Sequence, residues 1–386
     1  MILAKRIESL GTESAFEVLA RAKSLELKGK DIINLGIGQP DFRTPPNIVE
    51  AAKKALSDGY HGYTPANGML PLRESVSADV FKRRGVDINP DRVVIVPGGK
   101  VTIFFAALLL GERGTEILYP DPGFPIYRSA IEFSGATAVP MPLNEKNNFS
   151  FCAEEILEKI TPKTRLIILN SPANPTGSIT KKSEIDTLVK GLESFPDLVI
   201  LSDEIYSRLI YSDQKPLSLI SYPSICDRVI LLDGWSKTYA MTGWRLGYGI
   251  FPKKLYEIAE KLAVNIHSCV NASAQYAALE ALTGPQECVE EMNQAFKKRA
   301  TLMFTKLNEV KGLNCQKPNG AFYCFPNISD TNKNSMEVQN LLLDKIGVAT
   351  VAGTSFGKHG ENYIRLSCAN SNDAIEEAIS RMKNIF

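Results

Sequence analysis

Histidine is scarce in this chain, with three among 386 residues. His61, His267 and His359 are far apart, so no local zinc motif is formed, and no metal site is expected. They are expected to be structural or surface residues. The seven cysteines are Cys152, Cys226, Cys269, Cys288, Cys315, Cys324 and Cys368. Their number is odd and there is no C-x-x-C, which argues against a disulfide framework and a zinc ribbon. Reduced, partly buried thiols suit a cytoplasmic-type protein. Long apolar runs are missing too: charge interrupts each one well before membrane-spanning length. The opening MILAKRIESLG has no long apolar stretch of an export signal. Charge of either sign is not in excess, at 44 Lys and Arg against 43 Asp and Glu. With no basic block, neither nucleic acid nor membrane is expected as a partner. G-x-G-x-x-G is absent, and so is the G-K-[ST] order, which leaves out the dinucleotide fingerprint and the Walker loop.

What is present is a sizeable apolar fraction, 44%, in a chain long enough for one large domain and a smaller one. Residues 1–30 alternate apolar and charged positions like a helix. INLGIGQPDFRTPP then reads as an extended connection, and IVEAAKKALSDG as a helix. Seven short apolar runs follow: VVIV, EILYP, TAVPM, RLIILN, LVILSD, RVILLD and RLGYGI. Several lack the alternation of a sheet with one wet face. That favours an α/β fold, a mainly parallel sheet sandwiched by helices. From about residue 286 come the helix EEMNQAFKKRATLMFTKLNEV, the short stretches GAFYCF and NYIRLS, and a terminal helix. The expected division is a large domain over 48–285. A smaller α+β domain is expected from both chain ends, 1–47 and 286–386.

In such a sheet ligands sit beyond the carboxyl ends of strands, and those ends carry unusual residues. Gly98, Gly99 and Lys100 precede a helix start; they are either a plain turn or an anion nest of backbone N–H groups. Asp203 is a helix cap, a surface acid or a site carboxylate, with Tyr206 three residues on. Asn174-Pro175 and Gly177 form a turn, or Asn174 offers its amide to a ligand. Lys237 follows VILLDGWS. Its ordinary pKa of about 10.4 makes a poor nucleophile, but burial or neighbouring cations lower it and permit a Schiff base. Arg245 lies in the apolar TGWRLGYGI, which argues against an ordinary solvated position. An anion nest, an arginine, a carboxylate, a phenol, an amide and a lysine together suit a phosphate-bearing pyridine aldehyde, pyridoxal 5'-phosphate.

The segments YTPANGMLPLRES, PGGKVTI, NSPANPTG, SDEIY, WSKTYAMTGWRLGY and NYIRLSCA, in this order over residues 34–369, resemble the class I/II aminotransferases. These are pyridoxal-phosphate enzymes of fold type I. The resemblance implies a seven-stranded sheet and transfer of an α-amino group from an L-amino acid to a 2-oxo acid. Aspartate is the first-guess donor and 2-oxoglutarate the common acceptor. It implies that Lys237 bonds the cofactor aldehyde and then moves the proton, while Asp203 faces the pyridine nitrogen. Tyr206 and Asn174 would hold the cofactor's phenolate oxygen, and Phe124 would stack on its ring. Arg245 with the backbone at Gly99 and Lys100 would grip the phosphate. Tyr63 would reach the phosphate in a neighbouring subunit, hence a homodimer with shared sites. Arg365 would clamp the substrate α-carboxylate beside Gly38. Gly234 stands where the family often has a serine, and its lack of a hydroxyl is expected to weaken cofactor retention. Tyr127 either lies near the substrate or packs. A β-lyase on the same fold is the enzyme alternative. A non-catalytic ligand-sensing domain is a distant one, disfavoured by Lys237, Asp203 and Arg365 occurring together.

Overall fold

The computed structural model describes residues 3–211 and 217–386. Its first strand, β1 (Ile33–Asn34), belongs to a two-stranded pairing. The main sheet holds β2 (Val93–Val96), β3 (Glu116–Asp121), β4 (Thr137–Pro142), β5 (Thr164–Asn170), β6 (Val199–Asp203), β7 (Val229–Gly234) and β8 (Gly247–Ile250). These are the seven apolar runs of the sequence, with ends shifted by two residues or fewer. Their order is β2-β8-β7-β6-β5-β3-β4. Only β8 runs against its neighbours β2 and β7; the other pairings are parallel.

The missing alternation has a direct cause. Side chains of a strand point alternately to the two faces. Along β5, Leu166 and Ile168 enter one apolar cluster, and Ile167 and Leu169 enter another. Val94 and Val96 of β2, and Val93 and Ile95, divide the same way. Both faces are therefore dry, and each is covered by helices. The helices are α1 (Ser14–Leu27), α2 (Pro46–Ser57), α3 (Leu70–Arg84), α4 (Lys100–Leu110), α5 (Ile126–Ser134), α6 (Ala153–Lys159), α7 (Lys182–Leu192), α8 (Tyr256–His267), α9 (Ala272–Thr283), α10 (Glu287–Leu307), α11 (Ser335–Ile346) and α12 (Asn372–Lys383). Residues of α2, α3, α6, α7 and α9 cover one face, and residues of α4, α5 and α8 the other.

A third apolar cluster joins α10 and α12 to β9 (Tyr323–Cys324) and β12 (Ile364–Ser367), through Phe296, Met303, Ile379, Met382, Ile364 and Leu366. Between these strands lie β10 (Val348–Ala349) and β11 (Val351–Ala352). The order β11-β12-β9 forms a small antiparallel sheet, and β1 pairs in parallel with β10. Leu35, next to β1, is fully buried in this cluster.

The N-terminal segment departs from the single helix expected over residues 1–30, of which residues 1 and 2 lie outside the described part. A short 3-10 turn at Lys5–Ser9 and α1 are separated by residues 10–13, extended at Leu10 and Glu13. Gly11, a poor helix former, lies in that stretch. Its N–H donates to Ser129 Oγ at 3.1 Å, which fastens the segment to α5. Among the described residues no helix is long and apolar enough to cross a membrane.

Candidate active site

Five strands of one direction and the antiparallel β8 deliver their special residues to one edge of the main sheet. Gly99 and Lys100 follow β2, Phe124 follows β3, Asn174 follows β5, Tyr206 follows β6 and Lys237 follows β7. Asp203 is the last residue of β6, and Arg245 immediately precedes β8, whose reversed direction starts it at the same edge. All line a cavity of about 510 Å³, together with Gly38 and Arg365 from the two chain ends.

Asp203 is 4% exposed. Its carboxylate accepts from the Tyr127 hydroxyl at 2.6 Å and from the Ile205 N–H at 3.2 Å. Burial pushes its pKa up to about 6 against the pull of these two donors, with the charges of Asp233 and Glu204 adding to the rise. A buried carboxylate with no cation beside it among the described residues is costly, unless something cationic is meant to arrive. Tyr127 packs edge-on against Phe124, with ring centroids 5.7 Å apart. Both alternatives for Tyr127 thus turn out compatible: it packs, and it lines the cavity while donating to Asp203.

Lys237 faces the opposite way along the cavity and donates from Nζ to the carbonyl of Gly38 at 2.5 Å. Burial first, then the Arg365 guanidinium, lower its pKa to about 8; Glu13 opposes this, and Arg245 and Lys100 add to it. The chain thus holds a lysine whose free amine is accessible close to neutrality.

Arg365 is 3% exposed. It donates to Asn174 Oδ1 at 2.9 Å and to the Gly36 carbonyl at 2.5 Å. Its Nε is buried and has no partner. Tyr323 and Phe356 sandwich the guanidinium, their ring centroids 4.5 and 4.8 Å away. This is a planar fork of donors held rigidly on the cavity wall, the kind of group that takes a carboxylate. Tyr206 shares a hydrogen bond of 2.9 Å with Tyr323, and burial raises the pKa of Tyr206 well above its ordinary value.

Gly98 has φ +95°, and a Cβ there would collide with the Arg245 guanidinium. The bare backbone lets that guanidinium lie against the N-terminus of α4, where free N–H groups and the helix dipole attract an anion. Arg245 is exposed and bonds the carbonyls of Thr242 at 2.7 Å and Pro97 at 3.4 Å. This corrects the expectation from its apolar context: only the residues after it, from Leu246 on, are buried, and Arg245 itself, with αL backbone at φ 56°, is exposed. Lys100 sends its side chain to an ion pair with Glu13.

Tyr63 is the exception to the gathering. It is 94% exposed and does not line the cavity of its own chain. The three histidines are also elsewhere: His359 meets buried Asp121 at 3.2 Å, and His267 stacks near Phe105.

Gly234 requires a correction. In the β7–β8 pairing it lies opposite Gly247. A Cβ on Gly234 would come within 2.8 Å of the Gly247 Cα, and one on Gly247 would collide with the Gly99 backbone. The three glycines stack backbone on backbone and bring α4 against the sheet. A serine at 234 therefore does not simply add a hydroxyl; its Cβ presses on β8 at Gly247, the residue against which Gly99 packs. Glu13, Phe16, Asn170, Ser236 and Tyr323 also line the cavity and were not singled out. Asn170 and Ser236 lie within the quoted motifs. Glu13 and Tyr323 come from regions with no periodicity that points to the site.

A family model described as "Aminotransferase class I and II" matches residues 30–382. An aspartate aminotransferase of Pyrococcus horikoshii is 38% identical, over 99% of this chain and 96% of the relative. An aromatic-amino-acid aminotransferase of Thermococcus litoralis is 37% identical, over 100% of this chain and 98% of that one. The solved structure of Thermus thermophilus aspartate aminotransferase with maleate is similar at a TM-score of 0.95, with 30% identity and full coverage of both chains.

Proposed function

The chain belongs to the class I and II aminotransferase family, and we propose that it takes the α-amino group of an acidic amino acid, aspartate first, and passes it to 2-oxoglutarate. In this reading the two substrates use the one cavity in turn. The observation that carries it is the convergence on one cavity of the buried Arg365 guanidinium, the lowered amine of Lys237 and the buried Asp203.

The residues fit pyridoxal 5'-phosphate. Asp203 is a buried carboxylate without a cationic partner, and the Gly98–Gly99 backbone with Arg245 is an anion cradle that a Cβ would fill. When bound, the cofactor supplies an aldehyde for the amine and a ring that accepts the electron pair left by the departing Cα proton. Asp203 would hold the ring nitrogen, kept in place by the Tyr127 hydroxyl. Asn174, whose Oδ1 is already taken by Arg365, has its amide N–H groups for the phenolate oxygen, with Tyr206 beside it. Gly99, Lys100 and Arg245 would take the phosphate through backbone N–H groups and the guanidinium. Arg365 would bind the substrate α-carboxylate in a bidentate pair, which orients Cα. Lys237 would take the Cα proton on Nζ and return it one position along the reacting system. Tyr63, exposed on its own chain, would complete the phosphate site of a second copy, in a homodimer with shared sites.

An acidic donor needs a second cation. Of the cations lining the cavity, Lys237, Arg245 and Arg365 are committed, and Lys100 remains. Its side chain is 38% exposed, and its ammonium is paired with Glu13. This supports aspartate as donor and 2-oxoglutarate as acceptor.

The test is an absorbance spectrum of the protein with pyridoxal phosphate, followed by amino acids added singly. A near-ultraviolet or visible band that borohydride removes and Lys237→Ala lacks is the expected result. Aspartate should bleach it with one equivalent of the matching 2-oxo acid released. Absence of a band overturns the cofactor assignment. Pyruvate and ammonia release from a donor would point to β-elimination instead.

A further inference from the structure

Two carboxylates line the cavity among the described residues, Asp203 and Glu13. Asp203 has its place in the reaction. Glu13 does not. It occupies the N-cap position of α1, yet its side chain makes no capping hydrogen bond. Its carboxylate turns into the cavity and pairs with Lys100. The Lys100 ammonium is also 5.7 Å from the centroid of the Phe124 ring. The segment just before Glu13 is fastened to α5, where Gly11 N–H donates to Ser129 Oγ at 3.1 Å, and Thr12 Oγ1 donates to Glu17 at 2.7 Å across the start of α1. Glu13 is therefore placed at the cavity by its own tether. Its charge is felt at both Lys237 and Tyr323.

We propose that Glu13 is a specificity-determining residue, a resident carboxylate that holds Lys100 when the substrate side chain is uncharged and gives way when that side chain is acidic. The inference rests on Lys100 being the second cation of the proposed reaction. Two carboxylates brought to one ammonium repel each other, so an acidic side chain must displace Glu13 or bind weakly. An uncharged side chain leaves the ion pair closed. It then meets Phe16, Phe124 and the methylene stem of Lys100, an apolar wall beneath a neutralised charge. Glu13 thereby lets the one cavity accept side chains with and without a carboxylate, at unequal cost. The pair is only partly enclosed, with the Glu13 side chain 17% exposed, so water can take over its carboxylate once it leaves.

The test uses unreactive ligands of the cofactor-loaded protein, succinate as the dicarboxylate and propionate as the monocarboxylate, with binding measured by calorimetry. Glu13→Gln is expected to bind succinate roughly tenfold more tightly, the scale of a partly enclosed charge pair, and propionate within about twofold of wild type. In a Lys100→Met background the same substitution should give no gain for succinate. A purely structural role would move both ligands together. Unchanged or weaker succinate binding by Glu13→Gln overturns the proposal, as does an equal gain for propionate or a gain that survives Lys100→Met. Transamination assays of the same proteins separate the two readings. If aspartate is a donor but succinate binding does not respond to Glu13→Gln, only the role of Glu13 falls. If the succinate response is present and no amino acid is a donor, the reaction falls and the charge pair stands.

Discussion

At the scale of the residue, Lys237 and Asp203 owe their unusual states to burial, and both states can be measured. Lys237→Ala is expected to lower transamination by about 10⁴-fold or more, since a positioned proton-transfer group is worth that order. Single-turnover kinetics with aspartate would show it. The wild-type amine should react with a small aldehyde faster as pH rises through about 8, where burial and Arg365 leave it half deprotonated. Asp203 has the opposite signature. Its carboxyl is held near 6 in the fold and near 3.8 when unfolded. Between these values the native state binds more protons, so cofactor-free stability due to this group falls as pH rises from about 4 to 6. Asp203→Asn should remove that fall and stabilise the cofactor-free protein at pH 7 by up to ~3 kcal/mol, while cofactor affinity drops. Urea unfolding at pH 4 and pH 7 would reveal both. The motifs around these residues were readable because their types are chemically distinctive. The Tyr127–Asp203 hydrogen bond was not, because 76 residues separate its ends.

Among elements, the decisive contact is α4 against β8 and β7 through Gly99, Gly247 and Gly234. Gly247→Ala is expected to cost roughly 1–3 kcal/mol by overpacking. It should also weaken cofactor binding by shifting the N–H groups at the start of α4. Thermal unfolding and a cofactor titration would separate the two effects. Gly234→Ser should likewise loosen the cofactor, the reverse of what adding a hydroxyl suggests. The seven strands were legible because a sheet buried on both faces writes unbroken apolar runs. The two-residue strands β1, β10 and β11 were not, since two residues show no period. The break at Gly11 was missed for a related reason: the apolar spacing continues across it, while the hydrogen bond that fastens it reaches Ser129, 118 residues away.

For the whole molecule, the prediction concerns Tyr63. If its hydroxyl serves a neighbouring site, inactive Lys237→Ala chains mixed with Tyr63→Ala chains should recover activity. The hybrid has one cavity with both residues intact. Unfolding and refolding the two together, then assaying against each alone, checks this; no recovery would place Tyr63 outside the reaction. How the chain ends meet was only partly visible in the sequence, because no local pattern links residues some three hundred positions apart.

That meeting has a consequence for how the protein is made. β1 pairs with β10, and Arg365 bonds the carbonyl of Gly36. Roughly 300 residues separate the partners, and at about 5–20 residues per second synthesis of that stretch takes on the order of 15–60 s. Throughout that time Ile33 and Leu35 emerge without their apolar neighbours. The main sheet can fold meanwhile, for its strands lie between them. A nascent chain therefore passes through a long stage in which the Lys237 side of the cavity can be assembled and the Arg365 side cannot. During it the early segment depends on helpers or on dilution to stay out of aggregates.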